Sequence, residues 1–316
     1  MSLDERFVIG LKMLERLRPS LRARRANQPT TARTHLPAAD NLELEEEPVE
    51  ERRLEAPVTE WRPDAQTGLP SMETLLEQLG ETAPCSVVLG VCEDGLPFLL
   101  DLTNPAPGAL LLAGDQASGK TRLLRSVLAS AVYLNDPDQV AFYLVAQRPD
   151  EFIDLAGADH CQQFSAVQDK GLDELVAELA SLAEERRRGQ QDGPAILLVI
   201  DDLTSCLEVI DEQAYNRLYW LIRHGPRSRV WTLASLCMQK ANNIDPRFLS
   251  AFRTRLFGHI ADRRQSGALA GDKRLDTRRL ESGYEFCVPY GDEWVHFWIC
   301  DPEGAEDDYP IEEEEE

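Results

Sequence analysis

Basic residues are outnumbered in this chain. Across 316 residues there are 33 lysines and arginines against 56 aspartates and glutamates, a formal net charge of −23. A protein so acidic makes a poor non-specific ligand for nucleic acid, because its own charge opposes the phosphates. No apolar stretch reaches bilayer-spanning length, and no signal-peptide pattern stands at the N-terminus, which leads us to expect a cytoplasmic protein. The seven cysteines (Cys85, Cys92, Cys161, Cys206, Cys237, Cys287, Cys300) include no C-x-x-C pair and no zinc-type spacing with the five histidines. Reduced thiols are the simplest account. The guanine-reading Asn-Lys-x-Asp pattern is missing, as is the Leu-Ser-Gly-Gly-Gln signature of transporter ATPases. Nothing marks the lid and acceptor pocket that a small-molecule kinase needs.

The charge that is present is unevenly spread. From Asp301 to the end there are ten acidic residues and no basic one, whereas Arg217–Arg279 holds fourteen basic residues and four acidic ones. That basic stretch could line a local groove or a subunit junction. Residues 1–25 fit an amphipathic helix, with Phe7, Val8, Leu11, Leu14, Leu17 and Leu21 on one side and basic residues around the rest. Such a helix lies on a membrane surface, docks on a partner protein or packs on its own domain. Residues 26–70 are polar, rich in glutamate and punctuated by six prolines, and are expected to be a disordered linker. The 301–316 segment, closing in five glutamates, is expected to be a solvated tail, with an autoinhibitory strip or DNA mimic as the sharper alternative.

Hydrophobic content of 43% supports a core between these extensions, over residues 71–300. Strand-like runs occur at Ser86–Val91, Pro97–Leu102, Ala109–Ala113, Val140–Val145, Ala195–Ile200, Val230–Ala234, Arg255–Ile260, Tyr284–Val288 and Trp294–Ile299. Helical spacing recurs over Gly119–Val132, Gly171–Arg188 and Gln213–Arg223. Alternation of this kind predicts an α/β domain on a mostly parallel central sheet. Ligands in such sheets bind at the carboxyl ends of the strands.

At one of those ends stands Gly114-Asp115-Gln116-Ala117-Ser118-Gly119-Lys120-Thr121, a complete G-x-x-x-x-G-K-[ST] phosphate loop between an apolar strand and a helical run. Backbone N–H groups must wrap an anion closely, so side chains are dispensable at Gly114 and Gly119. The N-terminus of the following helix adds unpaired N–H donors. Lys120 reaches the β- and γ-phosphates, and the Thr121 hydroxyl is a ligand for Mg²⁺. A second motif follows at Ala195–Asp202, six apolar residues ending in two carboxylates, which is the form of a Walker B strand. Asp201 is the candidate to hold Mg²⁺, and Asp202 the candidate to activate the attacking water. A nucleoside triphosphate with Mg²⁺ is therefore the expected ligand.

The ordered set of motifs resembles the FtsK/SpoIIIE branch of the FtsK–HerA superfamily, whose motor domain is a RecA-like P-loop NTPase domain. Leu89–Leu102 is similar to the family's strand pair before the loop, and Pro107–Gly114 leads into Gly119-Lys120-Thr121 as it does there. Glu184–Arg188 resembles its arginine-tipped helix, His224–Val230 its glycine-arginine turn, and Phe252–Phe257 the strand ending the motor core. The resemblance implies ATP-driven motors in head-to-tail, usually hexameric rings, moving double-stranded DNA or serving secretion machines. A basic residue from the next subunit would then face the nucleotide. Arg255, Arg263 and Arg264 are the candidates, with surface salt bridges as the alternative role. Gln239 corresponds to the family's sensor glutamine, although it arrives late in its strand. Asp202 stands where the family carries glutamate, one methylene longer, so hydrolysis is expected to be slow. The alternative is a degenerate module that binds ATP without hydrolysing it and serves as a structural or regulatory subunit.

Overall fold

The computed structural model describes residues 69–72, 75, 84–291 and 293–300. The expected helix over 1–25, nearly all of the 26–70 linker and the 301–316 tail lie outside the described residues. Ten strands form one sheet: β1 (Ser86–Cys92), β2 (Pro97–Asp101), β3 (Leu110–Gly114), β4 (Val140–Ala146), β5 (Cys161–Ala166), β6 (Ala195–Asp201), β7 (Val230–Cys237), β8 (Thr254–Phe257), β9 (Glu285–Tyr290) and β10 (Glu293–Trp298). Their spatial order is β2-β1-β10-β9-β8-β3-β7-β6-β4-β5. The six strands from β8 to β5 run parallel, and the four from β9 to β2 extend them antiparallel.

Both faces of the parallel part are covered, so its strands are apolar on both sides. In β6, Ile196, Leu198 and Ile200 enter one core cluster, while Ala195, Leu197 and Val199 enter the other. The first face is packed by α3 (Leu172–Arg187) and α5 (Glu212–His224), the second by α1 (Lys120–Leu134). The short α2 (Ile153–Ala156), α4 (Leu203–Val209), α6 (Pro246–Ala251) and α7 (Arg263–Ala270) complete the helices among the described residues.

The antiparallel strands do not continue outward; they curl over α1. The Ser130 hydroxyl accepts the Val88 N–H at 2.9 Å, and Asn135 Nδ2 donates to the Ser86 carbonyl at 2.9 Å. Beyond β2 the chain returns to the central strands, where Trp231 Nε1 donates to the Leu102 carbonyl at 3.2 Å. Helix α1 is therefore buried along most of its length, with Leu123, Leu124, Val127 and Leu128 all at most 1% exposed.

Besides the short helices, two strands differ from the sequence reading. The strand expected over Arg255–Ile260 ends at Phe257, although Gly258 and His259 still bond to the end of β3 and to the loop, through Ala113 and Asp115. Strand β5, of sequence CQQFSA, was not expected at all: it is an edge strand with polar side chains and no alternation to betray it.

Candidate nucleotide site

Strand β3 delivers the phosphate loop to the carboxyl edge of the sheet, and α1 starts at Lys120 with Gly119 as its N-cap. Two glycines are required by geometry. Gly119 sits at φ +92°, and a Cβ there would collide with the Gly283 carbonyl. A Cβ on Gly114 would collide with the Ser118 hydroxyl, which is fully buried beneath the loop. Gln116 and Ala117 form the exposed crest.

The rim of the loop comes from the C-terminal part of the domain. Asp115 N–H donates to the His259 carbonyl at 2.9 Å, and its carboxylate Oδ2 accepts the Ala261 N–H at 2.8 Å. Ser282 Oγ donates to the Ala117 carbonyl at 3.1 Å. The segment at Ser282-Gly283 thus lies as a strap against the loop.

Strand β7 runs between β3 and β6, and its end pairs Cys237 with Gly114. The two motifs meet across it. Thr121 Oγ1 donates to Asp201 Oδ2 at 2.7 Å. The other carboxylate oxygen, Oδ1, accepts from Ser235 Oγ, a fully buried hydroxyl on β7. Asp201 is thereby held by one hydroxyl from the loop helix and one from the intervening strand. Lys120 folds back over its own loop and donates to the carbonyls of Gly114 (3.1 Å) and Asp115 (2.6 Å) and to Ser118 Oγ (3.3 Å). Burial pushes the Lys120 ammonium below its ordinary pKa, and the nearby Cys237, Asp201, Asp115 and Asp202 act in the opposite direction.

The residues present fit Mg·ATP. Thr121 and Asp201 offer hard oxygen donors at one point, the kind of ligand Mg²⁺ takes. Beside them, the loop closes tightly enough to exclude side chains at Gly114 and Gly119, and an ammonium sits on carbonyls that phosphate oxygens would replace.

The remaining candidates are placed differently. Asp202 is buried and caps α4, its Oδ1 accepting the Ser205 N–H at 2.8 Å. Gln239 lies in a short 3-10 helix (Met238–Asn243) after β7, where its Oε1 accepts from the Cys237 thiol at 2.7 Å. Arg255 faces Leu111 in the β3–β8 register, and its guanidinium donates to the carbonyls of Leu269 and Leu249. Burial lowers its pKa. Arg263 donates to the Lys273 carbonyl at 3.2 Å, and Arg264 lines an open groove beside α6 and α7. Sequence reasoning missed Ser235 and the Ser282-Gly283 strap. The one signal for Ser235 was a hydroxyl at the carboxyl end of an apolar strand; the strap, 165 residues beyond the loop residue it touches, left none.

Residues 76–192 match the model of the FtsK/SpoIIIE family. That match holds the phosphate loop and stops just before β6. Among curated proteins, the ESX-5 secretion system protein EccC5 of Mycobacterium marinum is 26% identical over 189 residues, covering 52% of this chain and 13% of that protein. EccC5 of Mycobacterium tuberculosis is 25% identical over the same shares. The aligned part thus spans about an eighth of those relatives. Among solved structures, ATPases 2 and 3 of Thermomonospora curvata EccC, in complex with a signal sequence peptide, align with a TM-score of 0.59 at 18% identity. They cover 74% of this chain and 43% of that one. The conjugation coupling protein TcpA of pCW3, with ATPγS, aligns at 0.58 and 18%, over 73% and 69% of the two chains. These structural likenesses establish the fold. The family match adds that residues 76–192, the phosphate loop included, are similar to proteins of the FtsK/SpoIIIE family.

Proposed function

Starting from an FtsK/SpoIIIE-like P-loop ATPase domain, we propose that this chain binds Mg·ATP between the loop at Lys120 and the carboxylate of Asp201, and turns it over slowly to drive movement of a polypeptide through a secretion machine. The observation that carries the reading is the 2.7 Å contact of Thr121 Oγ1 with Asp201 Oδ2, with the Lys120 ammonium on the same loop. Backbone N–H groups from Gly119 to Thr121, at the start of α1, orient the phosphates. Lys120 exchanges its carbonyl partners for phosphate oxygens and neutralises their charge. Thr121 and Asp201 hold Mg²⁺, with Ser235 fixing the carboxylate; the metal ion supplies charge neutralisation at the β- and γ-phosphates.

A polypeptide cargo is supported by the curated relatives, which are secretion proteins, and by the net charge of −23, which opposes DNA. Head-to-tail assembly of like subunits follows from the family resemblance, with Arg263 and Arg264 the exposed candidates to meet a neighbour. The work is done in the cytoplasm, with residues 1–25 as the segment that brings the chain to a membrane or a partner.

One observation favours a second reading, in which ATP is bound but not hydrolysed and holds an assembly together. Asp202, the candidate to activate water, commits one oxygen to capping α4. Steady-state ATP hydrolysis, with a signal-bearing polypeptide or duplex DNA titrated in, separates the readings. Turnover raised by the polypeptide and abolished in Lys120→Ala supports the motor. Tight ATP binding with no turnover, unchanged in Asp202→Asn, supports the scaffold, and stimulation by DNA alone overturns the cargo assignment.

A further inference from the structure

A cavity of about 460 Å³ lies between one face of the β9–β10 pair and the segment from Arg274 to Glu281. That is within the size range of small-molecule sites. Trp294 and His296, two apart on β10, present the same face to it. His296 Nδ1 meets Glu285 Oε1 at 2.9 Å, which fixes the ring. Arg279 stands at the rim with its side chain 89% exposed. None of these residues is used by the chemistry assigned to Lys120, Thr121 and Asp201.

The cavity wall runs directly into the nucleotide site. Leu280 and Glu281 line the cavity; the next two residues, Ser282 and Gly283, are the strap on the phosphate loop. From Gly283 back to Leu280 is at most roughly 10 Å of chain. The strap touches the loop at Ala117 and Gly119. The cavity wall therefore begins within roughly 10 Å of chain from the loop, inside the reach of a nucleoside whose phosphates lie there.

We propose that this cavity receives the base of the nucleotide whose phosphates lie on the loop, stacked on Trp294 and met at its edge by His296 and Arg279. The proposal rests on the nucleotide reading of the site above. A flat, heteroaromatic ring suits an indole face for stacking, with a fixed imidazole and a guanidinium to meet its edge.

The test compares the affinities of Mg·ATP and of inorganic tripolyphosphate, which has no base, on the full chain and two variants. Trp294→Ala removes the stacking face. Arg279→Ala, at an exposed rim position, leaves the fold intact should loss of Trp294, which packs edge-on against Phe257, disturb it. ATP is expected to bind about tenfold more weakly in Trp294→Ala and severalfold more weakly in Arg279→Ala, with tripolyphosphate unchanged in both. ATP affinity unaltered in both variants overturns the proposal. Equal losses for the two ligands overturn it as well, because the cavity would then act only by moving the strap. If the native chain holds tripolyphosphate as tightly as ATP, the loop reading stands and this one falls; if it holds neither, both fall.

Discussion

Lys120 holds three oxygen partners from its own loop, and a triphosphate competes for every one of its donors. Replacing it with alanine removes a charge-assisted contact worth about 1.5–3 kcal/mol, so titration calorimetry should find Mg·ATP bound at least tenfold more weakly; equal affinity would remove Lys120 from the site. The depressed pKa of this ammonium gives a second outcome. The folded value lies below the unfolded 10.5, so folding penalises the charged form, and the penalty vanishes as pH climbs through the lowered value towards 10.5. In alkaline buffer part of the Lys120 population is therefore neutral, and ATP must recruit a proton to bind. Calorimetry in buffers of different ionisation heat should record proton uptake that grows with pH; a flat response would contradict it. Ser235 makes a quieter contribution. Ser235→Ala leaves Asp201 Oδ1 without its hydroxyl partner, so the Mg²⁺ concentration that half-saturates ATP binding should rise severalfold while metal-free ATP binding stays the same.

At the level of elements, Asp202 does two jobs on paper and one of them is visible. As N-cap of α4 it satisfies the Ser205 N–H, an arrangement worth about 0.5–2 kcal/mol. Asp202→Ala should lower the unfolding free energy by that amount in urea titrations, whereas Asp202→Asn, an equally good cap, should not. If Asp202→Asn also leaves ATP turnover unchanged, the capping role is the whole of it. The same element shows why the sequence was only partly legible. Strand β6 announced itself through six apolar residues closed by Asp201, and β3 through the glycine pattern that follows it, because burial on both faces leaves no polar position to confuse the reading. Short α4, α6 and α7 carry no periodicity long enough to see; each is started by an aspartate cap, at Asp202, Asp245 and Asp262. Their location depends on tertiary contacts. So do the partners of the phosphate loop, since Ala261 and Ser282 reach it only after the sheet has curled.

Over the whole molecule, charge and assembly are the quantities to measure. Light scattering with Mg·ATP present should give a mass several times the 35.5 kDa of one chain, falling back to the monomer in Lys120→Ala. A mass that ignores nucleotide would point to assembly through other surfaces. The curled sheet has a mechanical corollary. Strand β10 ends two residues before Cys300, the last described residue, and it is paired with β1. β1 in turn grips the middle of α1 through Val88 and Ser130, and α1 begins at the lysine that meets the phosphates. Tension applied at Cys300 would therefore have a path to the nucleotide loop along paired backbone and a helix. Whatever hangs from that end is tethered to the pocket as a bell rope is to its clapper.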